Sequence, residues 1–208
     1  MRQGTATGNE PVALYVRTFG GLSLSYEGKA ISVVWESQKA RLLFCYLLVT
    51  YDQWVHRDRL IELLWPGCDV RAGGNNFKTT VSRLRKTFSG ANVLNPVINQ
   101  GEAVRINNAL ISLDASAFRA QATAGLKALA RGEMNAAKGH LEIAQDLYAG
   151  DFLPEEPFNQ FISAARTELA ELFSSVIRSL ERIYQQESNL DALEAISVLK
   201  RSPVKSFS

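Results

Sequence analysis

The most constraining feature of this chain is a basic stretch that contains an amphipathic helix. Residues 70–100 hold five Lys or Arg residues and no acidic residue. Within this stretch the sequence NNFKTTVSRLRKTF predicts a helix over residues 74–88. At about 100° per residue, one face of that helix is apolar, and it comprises Phe77, Val81, Leu84 and Phe88. Such a helix packs its apolar face on a core and turns the other face outward.

The outward face carries amide, hydroxyl and cationic groups, which are the groups that contact base edges and phosphates in a DNA groove. Its members are Asn75, Thr79, Ser82, Arg83 and Lys86, with Lys78 and Arg85 at the flank. Basic helical faces are also common as plain solvated surface. This helix alone therefore leaves DNA recognition and a solvated face equally open.

Composition sets the outer limits. The chain has 208 residues, of which 46% are hydrophobic and 21% charged, as is ordinary for a protein of one or two domains. No run approaches the ~18 apolar residues of a membrane span. The first ten residues lack the apolar core of a signal peptide, and residues 1–11 are expected to be a disordered lead. Cys45 and Cys68 form no metal or disulfide framework, which favours a reducing cytosol.

The net charge of +2 is unevenly distributed. Residues 1–108 carry 13 Lys or Arg against 8 Asp or Glu, giving +5, and residues 109–208 carry 10 against 13, giving −3. A basic half joined to an acidic half is expected of a DNA reader linked to another module.

Short strands and two helices are predicted ahead of the basic helix. Residues 14–19 and 22–26 alternate apolar and polar positions around a Gly-Gly pair, as hairpin strands do, and residues 31–34 predict a third strand. Ser37 is the expected N-cap of a core helix, QKARLLFCYLLVTY. A second helix is expected over residues 57–65, where Pro66-Gly67 ends it.

A β-hairpin is predicted directly after the basic helix. Residues 93–99 and 103–107 read as extended, with Gln-Gly-Glu between them. A recognition-type helix followed at once by a hairpin is the winged-helix order, in which the helix enters the major groove. Arg105 lies on the hairpin and is equally well interpreted as a phosphate or minor-groove contact and as a solvated sheet residue.

The second half of the chain is predicted to be purely helical. The expected helices span residues 115–131, 133–148, 158–186 and 191–200. Helix pairs of about this length are typical of tetratricopeptide-like repeats.

Four motifs in sequence carry a family resemblance: FGGLSLSYEGKAI, QKARLLFCYLL, RDRLIELLWP and NNFKTTVSRLRKTF. Together they resemble the winged-helix domain of the OmpR/PhoB type, and more narrowly its version in the Streptomyces antibiotic regulatory protein (SARP) family. LEIAQDLYAGDFLPE and RTELAELFSSVIRSLERIY resemble the bacterial transcriptional activation domain that follows it there. The resemblance implies an α+β winged helix over residues 12–113. An all-α tetratricopeptide-like domain is implied over residues 114–208, truncated relative to the family.

The resemblance also implies roles and partners. The residues implied to contact double-stranded DNA are Thr79, Thr80, Ser82, Arg83 and Lys86 on the helix, Lys78 and Arg85 near the backbone, Arg57 and Arg59 at the start of the second helix, and Arg105 on the wing. The loop over residues 66–73 occupies the position that can touch RNA polymerase. A homodimer or tandem pair on DNA, in the bacterial cytoplasm at the nucleoid, is expected.

Other function classes have less support. The sequence holds no GxxxxGK[ST] loop and no HExxH, and His56 and His140 lie far apart, so neither an enzyme nor a cofactor is expected. The alternative from another class is a protein-interaction adaptor that uses a winged helix and helical repeats without specific DNA binding. A third possibility is the N-terminal piece of a larger ATP-dependent regulator.

Overall fold

The computed structural model describes residues 14–89 and 95–201. The disordered lead expected over residues 1–11 lies outside the described residues. Within the described part of the chain, no helix is long and apolar enough to cross a membrane.

The described residues form two compact units. The first comprises residues 14–15, 24–89 and 95–112, and the second comprises residues 16–23 and 113–201. The N-terminal region contains strands and helices and is followed by a helical domain. The predicted change from a region of strands and helices to a helical region is therefore confirmed.

The described residues contain seven strands and seven helices. The strands are β1 (Leu14–Arg17), β2 (Ser23–Tyr26), β3 (Lys29–Ile31), β4 (Val55–His56), β5 (Val97–Gln100), β6 (Ala103–Ile106) and β7 (Ile111–Leu113). The helices are α1 (Gln38–Val49), α2 (Arg57–Leu64), α3 (Val70–Ser89), α4 (Asp114–Ala130), α5 (Met134–Leu147), α6 (Gln160–Gln186) and α7 (Leu190–Arg201). The strands form two sheets, with the orders β3-β2-β1-β7 and β4-β6-β5.

A two-residue turn sets the pairing of β2 with β3. Glu27 and Gly28 both have positive φ, 49° and 74°, as a tight hairpin turn requires of its two central residues. Tyr26 therefore pairs with Lys29. The third strand spans Lys29–Ile31, because the short turn brings the chain straight back. The prediction of a strand over residues 31–34 is therefore right only at residue 31.

Aromatic packing holds α1 against α3. The Oγ of Ser37 accepts the N–H of Ala40 at 3.1 Å, which confirms the predicted N-cap of α1. The ring of Phe44 on α1 lies 5.0 Å from that of Phe88 on α3, and Trp35 contacts both rings. Aromatic pairs at this spacing contribute beyond their buried area, so the last turn of α3 is firmly seated.

The basic helix α3 begins at Val70, earlier than the predicted residue 74. The carboxylate of Asp69 accepts the N–H of Ala72 at 3.0 Å, and its carbonyl accepts the N–H of Gly73 at 2.8 Å. Asp69 therefore acts as the helix cap. The Gly73-Gly74 pair lies inside the first turns, and the prediction that the helix starts there is wrong.

Gly73 lies where α3 comes close to α2. A Cβ atom at this position would lie 2.7 Å from Cγ2 of Ile61 and 2.9 Å from Sγ of Cys68. The close approach thus depends on the missing side chain. A Cβ at Gly74 would meet nothing within 4 Å.

The predicted hairpin after α3 is confirmed. β5 and β6 pair antiparallel across a turn in which Gly101 has φ 57°, and β4 pairs with the other edge of β6. Val55, Val97 and Val104 are buried, so one face of this small sheet is core. Residues 93–94 of the predicted first strand lie outside the described residues.

The second unit consists mainly of α4 to α7, a tetratricopeptide-like set of helices. All four predicted helices are confirmed, each within two residues of its predicted bounds. Gly132 with φ 77° makes the turn after α4. A Cβ on Gly125 would lie 2.7 Å from Cγ of Leu141, so α4 and α5 also pack closely through a missing side chain.

A segment from the N-terminal region completes the core of this helical unit. Val16–Ser23 belongs to the second unit, and Phe19 within it is fully buried. Its ring lies 5.4 Å from that of Phe118 and 4.6 Å from that of Tyr148. Tyr148 in turn stacks on Phe173 with ring centroids 4.1 Å apart. Nothing local in the sequence predicts this membership.

Candidate nucleic-acid interface

The two faces of α3 differ as the sequence predicts. Phe77, Val81, Leu84 and Phe88 are buried. The polar residues exposed on the helix include Asn75, Lys78, Thr79, Ser82, Arg83 and Lys86. The helix is anchored along one side and presents amide, hydroxyl and cationic groups along the other, which suits recognition of a duplex groove.

Thr80 does not belong to the exposed face. Its side chain is only 3% exposed, because it lies between Phe77 and Val81 on the buried side of the helix. The implied contact of Thr80 with DNA is therefore corrected, and this residue is part of the core.

Lys78 and Arg83 are the cations of this face whose donors are uncommitted. Within residues 14–89 and 95–201, neither side chain forms an ion pair or a hydrogen bond, and both residues are exposed. A guanidinium has five N–H donors and no acceptor. Arg83 thus keeps its full donor set for an incoming ligand.

Lys86 is exposed but already has a partner. Its Nζ lies 3.1 Å from Oε1 and 3.1 Å from Oε2 of Glu36. The lysine side chain is 70% exposed, and exposed pairs of this kind contribute about 0–1 kcal/mol. A phosphate can therefore replace Glu36, although the carboxylate lowers the net positive charge at this end of α3.

Arg85 connects α3 to the hairpin. Its Nη2 donates to the carbonyl of Val97 at 3.3 Å and to Oδ1 of Asn99 at 3.4 Å. The resemblance implied a contact near the DNA backbone. The geometry gives Arg85 the role of holding β5 beside the helix.

The start of α2 is less available to a phosphate than predicted. Nη1 of Arg57 lies 2.5 Å from Oε2 of Glu102, and the backbone N–H of Arg57 donates to the carbonyl of Glu102 at 2.8 Å. Nδ1 of His56 accepts the N–H of Asp58 at 3.3 Å, so a side chain already caps the helix and a carboxylate lies in its first turn. Arg59 is exposed.

Arg105 is held by an aromatic ring on the hairpin sheet. Its Cζ lies 4.7 Å from the ring centroid of Trp54. The Nε of Arg105 is buried and has no hydrogen-bond partner among the described residues. Burial and a ring contact distinguish it from an ordinary solvated sheet arginine.

Sequence reasoning missed three residues of this region: Glu36, Glu102 and Trp54. The two carboxylates pair with cations 50 and 45 positions away along the chain, so no helical or strand periodicity reveals them. Trp54 directly precedes β4, whose pairing with β6 is likewise distant in sequence.

The family comparison concerns the helical half. Residues 113–202 match the model of the bacterial transcriptional activator domain. The match begins at the last residue of β7 and includes all four helices of the second unit. Over these residues the chain is similar to that domain. The resemblance of this half that its motifs indicated is thereby confirmed.

A solved structure extends the comparison to the fold. The chain resembles Mycobacterium tuberculosis EmbR, solved in complex with a low affinity phosphopeptide, with a TM-score of 0.71 and 23% sequence identity. The likeness covers 88% of this chain and 48% of the EmbR chain, so this chain spans about half the length of that protein. Since 88% exceeds the share of the activator domain, the likeness in fold includes the N-terminal region. No curated protein matches the chain significantly.

The two comparisons bear on different parts of the resemblance. The activator domain supports the assignment of the helical half. The likeness to EmbR, at 23% identity, shows a shared fold that includes the strands and helices preceding that domain.

Proposed function

We propose that this chain is a transcriptional activator that binds specific sites on double-stranded DNA. In this proposal residues 12–113 form a winged helix of the OmpR/PhoB type and α3 lies in the major groove. The observation that carries it is the exposed face of α3, where Arg83 and Lys78 lie beside Thr79 and Ser82 without partners among the described residues.

Arg83 is the proposed base-reading residue. A guanidinium can donate two hydrogen bonds to O6 and N7 of one guanine, the commonest specific contact in the major groove. Thr79 and Ser82 lie four residues and one residue before it, and their hydroxyls can contact bases or phosphates. The buried stripe on the other side of α3 fixes the helix, so these groups need little reordering on binding.

Phosphate contacts are proposed for the cations around this face. Lys78 and Lys86 flank the base-reading positions, and Arg57, Arg59, Arg85 and Arg105 lie at α2, on α3 and on the hairpin. Since Arg57, Arg85 and Lys86 already contact protein acceptors, binding through them requires exchange of partners. We therefore expect them to contribute less to affinity than Lys78.

The helical domain is proposed to serve activation and assembly. Residues 109–208 carry a net charge of −3, which makes this half a poor partner for phosphate. We propose that the protein contacts RNA polymerase and that two copies of it pair on DNA. No cofactor is required for any of these steps.

The salt dependence of duplex binding tests the proposal. For B-DNA the logarithm of the binding constant falls by about 0.9 per neutralised phosphate for each tenfold rise in salt. A DNA reader should show a steep slope and should prefer sequences selected from random duplex over scrambled ones. A protein-interaction adaptor should bind weakly, with a shallow slope and no preference. That second result would reject the proposed function.

Binding as a pair is tested by the spacing of half-sites. Two copies on direct repeats about one helical turn apart lie on the same side of the duplex. Inserting about five base pairs, half a turn, should abolish cooperative binding, whereas about ten should restore part of it. Equal affinity at all three spacings would exclude the tandem pair and leave single-site binding untouched.

A further inference from the structure

We propose that Trp54 is a positioning residue for Arg105, and that the two together present a fixed guanidinium to the phosphate backbone of duplex DNA. This inference rests on the proposed DNA-binding function. It adds a residue that the family resemblance and the sequence pattern did not assign.

The strand register brings the two residues together. β4 pairs with β6 so that Val55 lies opposite Val104 and His56 opposite Ala103. Continuing this register by one residue places Trp54 opposite Arg105. On the other side of β6, Ile98 lies opposite Arg105.

This row of three residues lies on the face of the sheet away from the core. Side chains alternate between the two faces of a strand. Val104 and Ile106, the neighbours of Arg105 on β6, are buried at 3% and 0% exposure. Arg105 therefore projects to the opposite side, where Trp54 keeps 39% of its surface exposed.

The ring holds the guanidinium without using its donors. A cation over an aromatic face is attracted by the electrons of the ring, and the Cζ of Arg105 lies 4.7 Å from the ring centroid. No residue in the described ranges accepts a hydrogen bond from Arg105. By contrast, the guanidinium of Arg85 donates to Asn99, and that of Arg57 forms an ion pair with Glu102.

This difference predicts which arginine of the hairpin region serves a ligand. A side chain that is already fixed loses less conformational freedom on binding than a free one. A planar guanidinium with unused N–H groups is suited to phosphate oxygens. Arg105 combines both properties, and Trp54 provides the first of them.

A double-mutant cycle in the full chain tests the proposal on a selected duplex and on a scrambled duplex across several salt concentrations. Trp54→Leu removes the ring electrons, and Arg105→Ala removes the cation. We expect Trp54→Leu to weaken binding to both duplexes about two- to five-fold, the range of an exposed cation–π contact. Arg105→Ala should weaken both at least as much and lower the salt slope by about one unit. The double variant should bind like Arg105→Ala alone.

The outcomes separate this inference from the proposed function. If Arg83→Ala weakens binding to the selected duplex but Trp54→Leu has no effect, the inference is rejected and the proposed function stands. Additive losses in the double variant also reject it, because Trp54 would then act without Arg105. If the wild-type chain binds neither duplex, the proposed function fails first.

Thermal denaturation of each variant separates a positioning role from loss of fold. Should Trp54→Leu fail to fold, the cycle is run with Trp54→Phe, which keeps a ring of weaker attraction. That variant should show a smaller loss of affinity that again disappears in the Arg105→Ala background. A loss that persists in that background overturns the proposal.

Discussion

Thr18 and Asp114 are joined by two hydrogen bonds across 96 residues of sequence. The N–H of Thr18 donates to Oδ2 at 2.8 Å and its hydroxyl donates to Oδ1 at 2.6 Å. The N–H groups of Phe19 and Ala115 donate to the same carboxylate at 3.0 and 2.7 Å. Asp114 is 1% exposed, so these four donors supply the hydrogen bonds that water would otherwise give to the buried carboxylate.

We expect Asp114→Asn to destabilise the protein by about 3 kcal/mol, because an amide nitrogen would face buried N–H donors that need an acceptor. Thr18→Val removes only one donor and should cost about 2 kcal/mol, as a hydrogen bond to a charged group. Asp191→Asn on the exposed start of α7 is the matched control and should be neutral. Chemical denaturation of the three variants measures the difference. Equal stability of the Asp114 and Asp191 variants would contradict the expectation.

Two adjacent glycines on α3 should respond in opposite directions to the same substitution. Gly74→Ala adds a Cβ into open space and should stabilise the helix by about 0.5–1 kcal/mol. Gly73→Ala places the Cβ against Ile61 and Cys68 and should destabilise by about 1–3 kcal/mol through overpacking. The shift in melting temperature of each variant is the measurement. A stabilising Gly73→Ala would mean that α2 and α3 can separate at no cost.

Arg83→Ala should lower affinity for the selected duplex by about 1–3 kcal/mol and relax the preference at one base position. Arg182→Ala on α6 removes the same charge from another exposed site and should leave the preference unchanged. Binding of both variants is measured on selected and scrambled duplexes at several salt concentrations. Equal losses on both duplexes for Arg83→Ala would reassign it to a phosphate.

Tyr148 should make the stability of the helical unit fall at alkaline pH. Burial is the main cause that raises the pKa of Tyr148 from 10.0 to about 12, and the negative charge of Asp151 raises it further. The positive charge of Arg166 opposes this shift by lowering the pKa. The folded state holds this proton more tightly than the unfolded state does. The contribution of Tyr148 to the free energy of unfolding is therefore fully present below about pH 10 and is lost as pH rises from about 10 to about 12. The loss is at most about 2–3 kcal/mol for two pKa units.

Tyr148→Phe is the control for this pH dependence. It keeps the ring that stacks on Phe173 and removes the phenol. The denaturation midpoint of the Phe variant should fall less steeply over the same pH range. Identical slopes for the two proteins would show that the phenol of Tyr148 does not contribute.

The element order and the faces of α3 were predictable because they follow from local periodicity. The start of α3 was not predictable in this way, because glycine has a low helix propensity and the Gly73-Gly74 pair therefore resembles a helix boundary. Gly73 is needed there because only a residue without a side chain fits beside Ile61 and Cys68. This is a tertiary contact, which a propensity argument does not contain.

The candidate site was predictable in part for the same reason. The helical period alone placed Arg83 on the exposed face and Lys78 at its flank, and both residues are exposed. Thr80 lies at the edge of the apolar stripe, where one helical step of about 100° does not decide burial. The pairings of Arg57 with Glu102 and of Lys86 with Glu36 depend on contacts distant in sequence.

Val16–Ser23 has a consequence for attempts to recombine the two units with those of similar proteins. The chain passes between its two units after Tyr15, after Ser23 and after Ser112. A segment transplanted from residue 113 onward would lack Phe19. The remaining segment would keep the N–H groups of Thr18 and Phe19 without the Asp114 carboxylate that accepts their hydrogen bonds. The second unit is therefore discontinuous in sequence. Exchange of this unit between similar proteins should succeed only when residues 16–23 are transferred together with the helices.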